Sequence, residues 1–205
     1  MTRQEIKAIA KQVLKAKYWP IVGATVLAPL IIGVVGSVLP VVGTVATFFV
    51  MPLMCGLIYV LLAYLEERDT SIGDMFNVAF DGKYYMRRVG GMAWMSLFIF
   101  LWSLLFVIPG IIKSLSYSLT PYILTRYPEV GAKEALKLSM SLMEGKKTEL
   151  FVLTLSFIGW ILLSSLTFGI LIFFFVLPYM MLATALWSKN VLDEAERTGK
   201  LTASM

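Results

Sequence analysis

Residues 19–65 read WPIVGATVLAPLIIGVVGSVLPVVGTVATFFVMPLMCGLIYVLLAYL, and no charged side chain interrupts them. About 20 apolar residues, rising about 1.5 Å each in a helix, cross the roughly 30 Å hydrocarbon core of a bilayer. The run holds two such lengths, Trp19–Leu39 and Val45–Leu65, and the link Pro40–Thr44 leaves room only for a tight turn. A membrane-spanning helical hairpin is the expectation.

The rest of the chain repeats that pattern. All 13 acidic residues and 17 of the 18 basic ones fall in Met1–Lys17, Glu66–Arg88, Arg126–Glu149 and Lys189–Met205. Between these segments the only charge is Lys113. Val89–Ile108 is a third span, Leu150–Leu166 and Ile170–Ser188 a final hairpin across Thr167–Gly169, and Pro109-Gly110 is read as a break. The remaining segment, Ile111–Tyr127, is short and hydroxyl-rich. If it crosses, the basic segment 126–149 joins the other basic segments on the cytoplasmic side. If it does not, five Lys/Arg face outward, against the positive-inside rule. The fold class is therefore all-α: a polytopic membrane bundle of six spans in three hairpins, one integral membrane domain over 1–205. Both termini are expected in the cytoplasm, with 189–205 a mixed-charge tail.

Composition agrees. Apolar residues are 59% of 205 and charged residues 15%, against about 45–50% and about 25% in soluble domains; the mean hydropathy is +0.81. Ile21–Leu39 imitates a signal core but exceeds the roughly 7–15 residues typical of one. The net charge of +5 flanks apolar segments. That placement suits anionic lipid head groups at the cytoplasmic face and argues against nucleic acid.

Three polar segments carry helical apolar spacing. In 3–17, Ile6, Ile9, Ala10, Val13 and Leu14 share a face, with Lys7, Lys11 and Lys15 opposite. Ile72, Met75, Phe76, Ala79 and Phe80 repeat the spacing after the N-cap pair Ser71 and Asp74, with Gly82 as a stop. Ala132, Ala135, Leu136, Ser139, Met140 and Met143 do so in 131–147. Cytoplasmic amphipathic interfacial helices are expected from all three.

Each such helix precedes a hairpin whose second member holds one proline: Pro52, Pro121 or Pro178, expected to kink it. From Lys17, Arg88 and Lys147 to those prolines is 35, 33 and 31 residues. Internal repeats over 1–65, 66–127 and 128–188 account for this. So does the ordinary frequency of proline in membrane helices.

Chemistry has little to work with. There is no histidine and one cysteine, Cys55, so the usual general base, metal clusters and disulfides are unsupported. No carboxylate lies inside a span, Glu66 and Glu67 read as a solvated end, and no phosphate-cradling glycine loop is present; Gly90-Gly91 suits close packing. We expect no catalytic residues, no metal and no cofactor. The exception is the fourth span. Lys113, Tyr117 and Thr120 share one stripe there, with Ser114, Ser118 and Thr125 beside it. Either these residues line a polar cavity with Lys113 binding a phosphate or carboxylate, or the hydroxyls satisfy carbonyls freed by Pro121 while Lys113 snorkels. Trp19 and Trp187 read as interface anchors, with Trp94, Trp102 and Trp160 deeper.

The stretch Phe106-Val107-Ile108-Pro109-Gly110-Ile111-Ile112-Lys113-Ser114-Leu115-Ser116-Tyr117-Ser118-Leu119-Thr120-Pro121-Tyr122 resembles the bacterial membrane-protein family catalogued as domain of unknown function 975. Glu149–Leu153, Ser156–Trp160 and Leu177-Pro178-Tyr179 fit the same family. More distantly, the chain is similar to the membrane domain accompanying some glycerophosphodiester phosphodiesterases, whose hydrolytic domain it does not contain. The resemblance implies a protein of the bacterial cell membrane and brings no reaction with it.

The functional expectation is a non-enzymatic membrane protein acting through lipids, a membrane-protein partner or a homo-oligomer, the last through small residues such as Ala24, Ala28, Gly33 and Gly36. The alternative is a small transporter or lipid translocase with a polar pathway along 113–125.

Overall fold

Apolar periodicity and proline placement together set the architecture. The computed structural model describes residues 1–37, 40–105, 107–165, 167 and 169–199. Among them lie twelve α-helices, one π-helical stretch and no strand. In chain order the helices are α1 (Arg3–Ala16), α2 (Tyr18–Ser37), α3 (Pro40–Val50), α4 (Leu53–Leu65), α5 (Ile72–Ala79) and α6 (Tyr85–Leu105). Then come α7 (Val107–Tyr117), α8 (Thr120–Arg126), α9 (Ala132–Leu142), α10 (Lys147–Leu155), α11 (Ile158–Ser165), the π stretch Ile172–Val176 and α12 (Leu177–Arg197). Four helical stretches are long and apolar enough to cross a membrane: Tyr18–Ser37, Ala46–Leu65, Lys147–Ser164 and Ile172–Arg197. The all-helical, membrane-suited character of the chain is thus established.

Several boundaries differ from the sequence reading. Pro40–Thr44 is not a turn, because α3 starts at Pro40; a first-turn proline lacks only an N–H that would be unpaired anyway. Residues 38–39, just before α3, lie outside the described residues. Pro109-Gly110 does not end a helix either, since both lie in the first turns of α7. A Cβ on Gly110 would come within 2.6 Å of Ser103 Oγ, so this glycine lets α6 and α7 approach closely. Segment 111–127 is divided at Ser118-Leu119, and 150–166 is divided at Ser156-Phe157. The charged segment from Lys189 is no separate tail as far as Arg197; it continues α12. The last residues, 200–205, lie outside the described residues.

The packing follows one rule three times. The post-proline helices α4, α8 and α12 touch one another at the centre. Leu57, Leu61, Leu119, Ile123, Leu182 and Ala185 are fully buried there. Each short polar-segment helix docks on the post-proline helix of the preceding third: α5 on α4, α9 on α8, and α1 on α12. Each pre-proline segment meets the first long helix of the next third: α3 with α6, α7 with α10, and the π stretch with α2. The last contact in each series closes a ring.

This packing explains why α1, α5 and α9 are amphipathic. Ile6, Ala10 and Leu14 of α1, Met75 and Ala79 of α5, and Ala135, Leu136, Ser139 and Leu142 of α9 are buried against protein. Each such Ile or Leu removed from water is worth roughly 1.5–3 kcal/mol. Thr2 and Glu5 close a reciprocal cap on α1 (2.9 and 3.3 Å). At the start of α5, Asp74 accepts from the Ser71 N–H and hydroxyl (2.8 and 3.0 Å). Gly56 of α4 lies so near Met75 of α5 that an added Cβ would sit 2.0 Å from the Met75 carbonyl oxygen.

Exposed large apolar side chains cluster on α2, α3, α6, α7, α10, α11 and the π stretch, with none on α4, α8 or α12. Trp19 is 72% exposed, whereas Trp187 is 5% exposed and belongs to the core, so only the first can face an interface. Ala24 and Ala28 are also buried. They pack α2 inward and offer nothing to a second copy, leaving Gly33 as the open position on that helix.

Candidate functional site

The sequence places its polar cluster on one stripe, but the break at Ser118-Leu119 divides it between two helices. Lys113 is half-buried on α7, its ammonium 4.9 Å from the centre of the Trp102 ring of α6. It makes no ion pair among the described residues. Tyr117 is buried, its ring 6.3 Å from that of Phe98. Thr120 is fully buried at the start of α8, and its hydroxyl has no partner among the described residues. The neighbouring hydroxyls donate to their own helices: Ser114 to Ile111 O, Ser116 to Ile112 O and Ser118 to Leu115 O, each at 2.8 Å. Thr125 donates to Pro121 O at 2.7 Å and to Cys55 O of α4 at 3.2 Å. A hydroxyl committed to a carbonyl three or four residues back satisfies itself without water. The geometry of 113–125 is that of packed helices.

Proline placement is more informative. Pro52, Pro121 and Pro178 each stand at the start of a helix: Pro52 within the turn Met51-Pro52, Pro121 after the break Ser118-Leu119 and Pro178 after the π stretch. A proline supplies no N–H to the carbonyl four residues back and its ring crowds that carbonyl, so acceptors just before it lose their backbone donors. In each case a hydroxyl from another third of the chain bonds a carbonyl of the interrupted turn, four residues before the proline at Phe174, three before it at Phe49 and five before it at Ser116. Tyr85 donates to Phe49 O (2.7 Å), Ser139 to Ser116 O (2.8 Å) and Tyr18 to Phe174 O (2.9 Å). The donors again come from the following third, in the same cyclic order as the packing.

The divided helix α10–α11 is held differently. Lys7 donates to the Ser156 carbonyl at 3.2 Å, its ammonium 4.4 Å from the centre of the Phe157 ring. Tyr179 donates to Lys7 O at 3.2 Å. Lys7 therefore does not share the solvent face of Lys11 and Lys15; it is half-buried at a carbonyl the break left open. Burial and nearby Arg3 push its pKa down.

Two charged features escape the sequence reading. Arg88 is 3% exposed; its guanidinium donates to Val78 O at the end of α5, and Nε has no partner among the described residues. Its neighbour Arg87 points elsewhere, donating to Pro128 O and Glu129 O (3.2 and 2.6 Å). Adjacent residues on a helix cannot share a face, so the pair Arg87-Arg88 at a helix start is the available clue. The second feature is a latch on the end of α12. Asp193 pairs with Arg126 at 2.6 Å and Lys189 at 3.0 Å, Glu196 with Arg126 at 3.2 Å, and Lys189 with Glu66 at 3.6 Å. Glu194 pairs with Lys146, and Tyr127 donates to Glu196. Burial, then the bond to Glu196, raise the Tyr127 pKa. Glu66 is consequently a paired residue, bridging Arg68 (2.7 Å) and Lys189, and not a free solvated end.

The described residues contain no group of His, Cys, Asp or Glu able to hold a metal. A family model described as "Protein of unknown function (DUF975)" matches residues 84–195, more than half of the chain. No curated protein and no solved structure matches it.

Proposed function

This chain belongs to the DUF975 family of proteins of unknown function, and we propose that it is a bacterial cytoplasmic-membrane protein acting, without catalysis, through lipid and membrane-protein contacts. The observation that carries this reading is a division of surface. Large apolar side chains face outward from the long helices, while Lys11, Lys15, Lys17 and Lys137 stand exposed on the short ones, with no ion pair among the described residues. An apolar belt beside unpaired lysines suits an anionic bilayer surface, at roughly 1 kcal/mol per basic residue. The test is electron spin resonance of spin-labelled phosphatidylglycerol and phosphatidylcholine around the reconstituted protein. The anionic label should be favoured, and replacing those four lysines with Gln should bring the two to parity. Equal association with the unsubstituted protein would sink the reading.

The finer arrangement we propose is six spans in three hairpins, both termini cytoplasmic, with 1–65, 66–127 and 128–188 as repeats of one unit. The thrice-used packing rule and the clustering of charge support it. In intact cells, a Lys137→Cys thiol should stay unlabelled by an impermeant maleimide and react after permeabilisation; Cys55 is buried and gives little background. Labelling from outside rejects this threading. The alternative, a translocation pathway along 113–125, gains nothing from hydroxyls already committed to their own helices.

A further inference from the structure

The cyclic packing creates equivalent seams, and two of them are incompletely filled. One lies between α2 and the π stretch, about 440 Å³ in volume and walled by Val26, Leu30, Ile170 and Phe173 among others, with no charged residue. The other lies between α7 and α10, about 350 Å³, lined by Ile111, Ile112, Leu115, Phe151, Lys147 and Thr148. Both fall near the lower limit of the roughly 300–1,000 Å³ typical of small-molecule sites. The two seams join corresponding pairs of elements, but the cavities sit at different levels. The one beside α2 lies midway along that helix at Val26–Leu30 and is wholly apolar, and the one beside α10 lies at its start and includes a cation and a hydroxyl.

We propose that the α7/α10 seam binds one anionic phospholipid, its phosphate on Lys147 and Thr148 and an acyl chain along Ile111, Ile112, Leu115 and Phe151. The inference deepens, and rests on, the reading of this chain as a lipid-contacting membrane protein. Charge complementarity selects the occupant. Lys147 has no carboxylate partner among the described residues, whereas its neighbour Lys146 is paired with Glu194. Lys147 and Thr148 also open the nine-residue helix α10, whose first N–H groups have no acceptor within the helix and favour an anion. Glu149, the nearest acidic residue in sequence, lines a different cleft with Arg3 and Trp187. The groove wall suits a hydrocarbon chain and little else: Ile111, Ile112 and Phe151 are each nearly half exposed, with no polar side chain between them. The α2 groove accepts a chain by the same argument but has no means of choosing a head group.

The experiment is native mass spectrometry of the full chain, released from micelles doped with equal phosphatidylglycerol and phosphatidylcholine of matched chain length. The unsubstituted protein should retain one phosphatidylglycerol about fivefold over phosphatidylcholine, whose phosphate is also present but is neutralised by its own choline, so that about 1 kcal/mol of attraction between Lys147 and a net negative head group is lost. Lys147→Gln should abolish that selectivity while leaving total retention similar. Ile112→Trp, which fills the groove from an exposed position, should reduce retention of both lipids and guards against an unfolded first variant. The four-lysine variant defined for the spin-label test should keep the single selective lipid. Lys147→Gln retaining phosphatidylglycerol as before, or an unsubstituted chain without preference, overturns this site. If the spin-label preference also fails, the general lipid reading goes with it; if that preference survives, only the seam is wrong.

Discussion

Removing one hydroxyl at a proline break should cost stability in proportion to how dry that break is. The three donors allow a clean series, because Tyr18→Phe and Tyr85→Phe keep the ring and Ser139→Ala removes only one small atom. In a soluble protein, a buried acceptor stripped of its donor costs about 1–3 kcal/mol. Between membrane helices the measured mean is nearer 0.6, with a ceiling of about 1.7, because the unfolded chain in lipid also finds partners. Ser139 is fully buried and its acceptor, Ser116, is 2% exposed; Ser139→Ala should therefore approach the ceiling, at about 1.5 kcal/mol. Phe49 and Phe174 are each almost half exposed, so the two tyrosine variants should cost about 0.5–1 kcal/mol each. The three bonds lie at separate breaks, so the triple variant should come near their sum, about 2.5–3.5 kcal/mol. Ser114→Ala is the control. Its hydroxyl bonds its own Ile111 carbonyl, and its loss should register below about 0.5 kcal/mol. The assay is reversible unfolding in mixed detergent micelles at rising mole fraction of dodecyl sulfate, followed by far-ultraviolet circular dichroism. If all three variants match the Ser114→Ala control, these hydroxyls do not hold the breaks, and the reasoning fails.

Two further outcomes are expected. Gly56→Ala should destabilise by about 1–3 kcal/mol or separate α5 from α4, since the new Cβ meets backbone 2.0 Å away. Gly33→Ala, with nothing within 4 Å, should be neutral or gain up to about 1 kcal/mol; similar melting of the two variants in detergent would contradict the docking of α5. The Ser71 N–H and hydroxyl hold the Asp74 pKa below its ordinary value. A depressed carboxylate stabilises above its unfolded pKa, about 3.9, and that contribution is lost as pH falls through the lower folded value. Hydrogen-exchange protection of 72–79 should therefore drop below about pH 4, and Asp74→Asn should remove that acid dependence and lower protection at neutral pH. An unaltered acid profile in the variant would refute the cap.

What the sequence made legible was whatever depends on charge and local period. Uncharged runs mark the long helices, and the spacing of Ile6, Ala10 and Leu14 gives the buried face of α1. Ser71 with Asp74 marks the start of α5. What burial itself means was not legible: the same amphipathic stripe serves a bilayer surface or a neighbouring helix, and in α1, α5 and α9 it meets a helix. Lys7 shows the limit well. Its spacing groups it with Lys11 and Lys15, yet a carbonyl left open 149 residues away takes it inward. The hydroxyl cluster misleads for a related reason, since type and position suggest a pathway while the donors are used within one turn. Proline fares better because its effect is local: it interrupts the helix whatever the tertiary context, and Pro52, Pro121 and Pro178 each stand at a helix start beside a carbonyl bonded by a distant hydroxyl.

The cyclic order of contacts also says where the fold is joined. Two of the three dockings of a short helix, α5 on α4 and α9 on α8, connect elements close in sequence. Their closure entropy is modest, because loop cost grows only slowly with length and these loops are short. The third, α1 on α12, joins the two ends of the described chain, with Tyr179 of α12 donating to Lys7 O of α1; close by, Lys7 donates to Ser156 O and Tyr18 of α2 to Phe174 O of the π stretch. The latch strengthens the other end of α12, where Asp193, Glu194 and Glu196 bind Arg126, Tyr127 and Lys146, and Lys189 reaches Glu66. This ring of contacts gains no covalent closure from the chain, so the docking of α1 and α2 on the last helices, between residues distant in sequence, must be held by side chains. Those side chains include Lys7 of α1 and, on α12, Tyr179, Lys189, Asp193, Glu194 and Glu196, whose bonds tie the end of the chain to its earlier segments.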